Sequence, residues 1–274
     1  MTPLDFSLIN AIQFVIIGLA VGFMGGFLGV GGGVIIIPLL TYWVFPSMKV
    51  SSEIIVHLSF GTSLAIIIPT SISGYYAHAR KENISWPVVY LLAIPGIIGS
   101  FLGSMITSFL RGELLRILFG VLLIFLAGQM ILEKEEREGK KGNAQNPSKY
   151  KTLLVGFVVG IFSGFFGLGG GVIAIPLLVR FLKISIHRAM GISIAFVFFI
   201  SLVGTFGYIY HGWGKPQLPP FSLGYVHGWG WIMAGLPSLF LARLGTNLAY
   251  KTRPLRMRKI FALLLVGVGT RMLF

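Results

Sequence analysis

Two short phrases hold most of the residues able to do chemistry in this chain. Gly31, Gly32 and Gly33 lie in FLGVGGGVIIIPLL (27–40), and Gly169, Gly170 and Gly171 lie in FFGLGGGVIAIPLL (165–178). A glycine run that opens an apolar helix turns unbonded backbone N–H groups, and the positive end of the helix dipole, toward an anion. Thr62, Ser63 and Ser193 lie one to two turns inside neighbouring apolar stretches, as hydroxyl donors within reach of the same point. Helix–helix hydrogen bonding is the competing use for such groups. Arg243 is a cation inside an apolar stretch; it either faces a cavity or snorkels to an interface. His57 and His187 match each other in sequence context, as do His78 and His211, and the first pair is a candidate for proton handling or for packing at a helix end. Nothing near them supplies the three or four ligands of a metal centre, so no metal and no other cofactor is expected.

The frame that positions these residues follows from composition. Of the 274 residues, 55% are hydrophobic and 11% charged, against about 25% charged in a soluble domain; the mean hydropathy is +0.87. Apolar stretches recur at 8–28, 54–77, 86–109, 114–132, 152–166, 189–210, 229–250 and 260–274. Several are long enough to cross a hydrocarbon core of about 30 Å as a helix. The sequence therefore predicts an all-α polytopic membrane protein whose surroundings are a lipid bilayer. Its net charge of +14 falls mostly in short segments between apolar stretches, where it sets topology, so no nucleic-acid partner is expected. The lack of cysteine excludes disulfides and thiolate chemistry. MTPLDFSLIN at the N-terminus has no basic residue and no clear cleavage site follows, so the first apolar stretch reads as a retained span.

The glycine phrase belongs to a longer repeat. Between 25–40 and 163–178, 12 of 16 positions are identical; HLSFGTSLA (57–65) answers HRAMGISIA (187–195), and Pro95 and Gly103 answer Pro237 and Gly245. Residues 1–132 and 151–274 thus read as two copies of one membrane unit, joined by the charged linker 133–150. Basic residues decide how the copies are oriented. If each glycine segment is a re-entrant hairpin followed by three spans, the second copy is inverted, with 16 Lys and Arg on one side, five on the other, and Arg243 within a span. If each glycine segment crosses fully, the sides carry 11 and 10. Cytoplasmic loops are enriched in Lys and Arg, so the inverted arrangement is favoured, with the linker cytoplasmic and both termini periplasmic.

In that arrangement the glycine turns fall near the bilayer midplane, where broken backbone survives only if buried in protein or lining a cavity. Two half-helices then aim their N-termini at one point, as in transporters that bind anions between inverted repeats; packing alone is the other use for the glycines. Pro38 and Pro176 fall in the opening turns of those half-helices, where a missing N–H costs little. A nucleotide-binding loop is excluded, because the lysine and Ser/Thr it needs are missing. The eight acidic residues lie at span ends, the N-terminus or the linker, which leaves no central carboxylate of the sort cation pumps use.

The duplicated GxGGG before an apolar run and Pro-Leu, with GTSLA in the next helix, resembles the TauE/SafE sulfite exporter family over nearly the whole chain. The resemblance implies a secondary transporter of the bacterial inner membrane, exporting a small anionic substrate such as sulfite or an organosulfonate such as sulfoacetate. The second copy departs from it, reading GISIA with Ile192 in place of Thr62. Two other classes compete. A membrane-embedded hydrolase would need a nucleophile, base and orienting acid, and the spans lack the acid, so no enzyme is expected. An anion channel with a static pore fits the same composition.

Overall fold

The computed structural model describes residues 7–28, 31–79, 84–132, 147–249 and 254–273. The first half contains α1 (Leu8–Leu28), α2 (Gly33–Leu39), a π-helical turn (Leu40–Val44), α3 (Phe45–Ser47), α4 (Ile55–Ala79), α5 (Trp86–Ser108) and α6 (Gly112–Leu132). The second contains α7 (Lys149–Phe166), α8 (Gly171–Arg180), α9 (Ile186–Gly212), β1 (Ser222–Leu223), β2 (Val226–His227), α10 (Gly228–Ala249) and α11 (Pro254–Leu273). Of these, α1, α4, α5, α6, α7 and α9 are long and apolar enough to cross a membrane. The chain is an all-α polytopic membrane protein. Most of the linker, 133–146, lies outside the described residues.

Small residues set which helices touch. Gly18, Gly22 and Gly26 of α1 face Ala234, Ser238 and Ala242 of α10 so closely that a Cβ on any of the three would overlap facing backbone. Gly156, Gly160 and Gly164 of α7 meet Leu92, Gly96 and Ser100 of α5 in the same way. Backbone contact of this kind replaces the hydrophobic drive that lipid removes. The two sets are repeat equivalents, so the opening helix of each half packs on the other half. Their numbers rise together, which makes each pair parallel.

The central pair runs the other way. Gly61 of α4 abuts Tyr208 of α9, Gly204 abuts Leu64, and Gly74 abuts Ile194, so α4 and α9 are antiparallel. Gly120 abuts Met272, while Gly269 abuts Ile124, so α6 and α11 are antiparallel as well. Hydroxyls tie the layers: Thr70 and Ser238 share a hydrogen bond of 2.8 Å, and Ser100 donates to the Ile200 carbonyl at 2.8 Å. Large apolar side chains such as Ile94 (64% exposed) and Phe240 (68%) point outward, as a lipid-facing surface requires.

The halves differ between α9 and α10, where the strand pair inserts. Ser222 pairs with His227 and Leu223 with Val226. Tyr225 donates its N–H to the Tyr208 carbonyl at 3.1 Å, and His227 donates its N–H to Thr62 Oγ1 at 3.0 Å. The buried His227 imidazole stacks on Phe14, ring centroids 5.4 Å apart.

Candidate functional site

Both glycine phrases form turns between helices. Gly31 and Gly32 have φ of 82° and 84°; Gly167, Gly169 and Gly170 have 67°, 70° and 79°. Side chains disfavour these values, which is why glycine occupies them. Gly32 and Gly170 are the N-caps of α2 and α8 and offer no side-chain cap. The first bonds inside α2 run from Ile35 and Ile36 N–H to the Gly32 carbonyl, and inside α8 from Ile173 and Ala174 N–H to Gly170. Ahead of them, the N–H groups of Gly31–Val34 and of Gly169–Val172 have no hydrogen-bond partner among the described residues. Pro38 and Pro176, each six residues into its stretch, donate no N–H and leave the Val34 and Val172 carbonyls without their helical partner. Only the first half answers with a π-helical turn, Leu40–Val44.

The turns meet at the centre of the molecule. A Cβ on Gly31 would stand 3.3 Å from Ile67 and 3.7 Å from Val197; one on Gly169 would stand 2.8 Å from Ile67. Ile67 and Val197 are repeat equivalents at the middle of α4 (25 residues) and α9 (27 residues). Gly33 abuts the backbone of Leu168, joining one turn to the other. Each turn lies back against its own first helix: Gly31 and Gly32 beside Gly25 and Val21 of α1, and Gly170 beside Val159 of α7.

The remaining candidates separate into groups. Ser63 and Ser193 are fully buried, and their hydroxyls have no partner among the described residues. Thr62 is also fully buried, but its oxygen is engaged in accepting the His227 N–H. His57 lies at the start of α4; its Nε2 is 3.1 Å from the Thr107 and Leu110 carbonyls at the end of α5, which is the position of a C-terminal cap. The His187 side chain lies outside the described residues. Arg243 is exposed on α10 beside Phe240 and Leu244, on an arc pointing away from the packed Ala234, Ser238 and Ala242. Of the two roles open to Arg243 in the sequence, this position fits the snorkelling one. Two hydroxyls that sequence reading passed over are beside the second turn: Ser163 by Gly170 and Ser201 by Gly169, both fully buried and without a partner among the described residues. Ser163 could have been noticed as the serine of the second phrase where the first has Gly25.

Apolar-faced helices around two buried, broken segments, with N–H groups that have no partner among the described residues, define a polytopic membrane protein of the transporter class. The family described as Sulfite exporter TauE/SafE matches residues 14–272, and the chain belongs to that family. It is similar to a probable membrane transporter protein of Haemophilus influenzae, 29% identical over 257 residues that cover 94% of this chain and 96% of the relative. Another of Methanocaldococcus jannaschii is 28% identical over 94% of both chains. A third, of Xylella fastidiosa, is 30% identical over 91% of this chain and 89% of its own. The protein is a multi-pass membrane transporter.

Proposed function

We propose that this transporter exports a small sulfur oxyanion, sulfite first and organosulfonates such as sulfoacetate second, across the inner membrane by alternating access. The observation that carries the reading is the meeting of two glycine turns at the middle of α4 and α9, each with N–H groups that no acceptor among the described residues takes up. Convergent donors without a nearby carboxylate suit an anion and disfavour a cation. The halves act as inverted repeats, a reading supported by the antiparallel courses of α4 with α9 and α6 with α11 and by the 16-to-5 division of basic residues. The linker then faces the cytoplasm and both termini the periplasm. Packing of Ile67 against both turns favours a carrier over a channel with a static pore. Export needs no coupled ion, because an anion leaving a negative cytoplasm gains about 2.3 kcal/mol per charge per 100 mV.

Purified protein in liposomes, offered sulfite, sulfoacetate and sulfate in turn, tests this directly. The expected result is saturable sulfite flux with counterflow. Flux that never saturates would mean a channel, and flux of none of the three would remove the substrate class.

A further inference from the structure

Ser163 and Ser201, like Ser63 and Ser193, lack the bond by which several other helical serines of this fold are satisfied. Ser59, Ser71, Ser104 and Ser108 each donate to a carbonyl three or four residues back in their own helix, the usual way a helical hydroxyl is satisfied in an apolar medium. Ser163 lies one turn before Gly167 and Ser201 near the middle of α9; both are fully buried and neither hydroxyl has a partner among the described residues. Both stand against the second turn. A Cβ on Gly169 would be 3.3 Å from Ser201 Oγ, and one on Gly170 would be 3.4 Å from Ser163 Cβ. The first turn has no such pair: repeat equivalents are Gly25, without a hydroxyl, and Ser71, whose hydroxyl is spent on the Ile68 carbonyl at 2.8 Å.

We propose that the anion is seated eccentrically, on the second turn, where the hydroxyls of Ser163 and Ser201 and the N–H groups of Gly169–Val172 hold its oxygens. This rests on the reading of the glycine turns as the transport site and adds which turn binds and through which side chains. Six neutral donors gathered from three elements (α7, α9 and the start of α8) suit a headgroup with three oxygens, such as sulfite or a sulfonate. A halide, with no spread of acceptors, or a carboxylate, with two, leaves donors unused and pays for their burial. Ile67, Ile200 and Val159 close around the turn and must swing aside for the anion to reach it.

The test measures KM and maximal rate for sulfite in proteoliposomes, with sulfite affinity of the purified protein, for Ser163→Ala, Ser201→Ala and the control Ser71→Ala. Hydrogen bonds to a charged group predict a rise in KM of about tenfold or more for each of the first two, with a smaller change in maximal rate. Ser71→Ala should keep the wild-type KM, and Ser201→Thr, which retains a hydroxyl, should recover much of the affinity. A wild-type KM in well-inserted Ser163→Ala and Ser201→Ala overturns the proposal, as does an equal shift in Ser71→Ala. Normal flux through Gly170→Leu would fail the underlying reading itself, whatever the serine variants do.

Discussion

Gly33 of the first half lies against the backbone of Leu168 in the second, with Leu168 atoms 2.7–2.9 Å from where a Cβ on Gly33 would stand. No side chain separates the two turns at this point. Under the alternating access proposed above, movement of one hairpin is expected to carry the other with it.

Bulk at the turns should stop transport. Gly170→Leu puts a side chain at φ 79°, within 3 Å of Ile200 and Val159, and Gly33→Ala pushes the two turns apart. Flux in proteoliposomes is expected to vanish in the first and fall sharply in the second, while Gly128→Ala, with nothing within 4 Å and no positive φ, stays functional. Wild-type rates in correctly inserted Gly170→Leu would place the substrate elsewhere.

Ile67 should limit substrate size. It is fully buried and touches both turns, so Ile67→Ala enlarges the centre at a stability cost of about 2–5 kcal/mol. The ratio of sulfoacetate to sulfite flux is expected to rise. An unchanged ratio, with a lowered melting temperature, would make Ile67 a packing residue only.

Arg243 should be dispensable for binding. Its exposed position beside Phe240 and Leu244 fits a snorkelling cation, so Arg243→Lys and Arg243→Ala should both keep sulfite affinity near wild type. Severe loss in the alanine variant, partly restored by lysine, would return the residue to the site.

Topology can be read by labelling, since the chain has no cysteine of its own. Single cysteines at Thr2 and Pro220 are expected to react with an impermeant thiol reagent in intact cells, and one at Ala144 only after lysis. Reaction of Ala144→Cys from outside would reverse the assignment of sides.

Much of this architecture is written along the chain. The lipid demands long apolar helices, so spans stand out by composition, and duplication writes the repeat as matching phrases whose spacing shifts only in the loops. Backbone chemistry is legible for the same reason: only glycine tolerates the left-handed residues at 32 and 170, so the turns appear as letters. What a side chain faces is another matter. In a membrane helix the lipid side and the packed side are both apolar, so periodicity gives no bearing. The sequence left Arg243 between a cavity and an interface; packing of α10 on α1 through Ala234, Ser238 and Ala242 leaves the arginine on the outer arc. It likewise left Thr62 between ligand donor and helix partner, and only the strand pair, 165 residues away, brings the His227 N–H to it. Ser163 and Ser201 are ordinary helical serines in sequence, because the bond each fails to make is visible only when three separate elements close around the second turn.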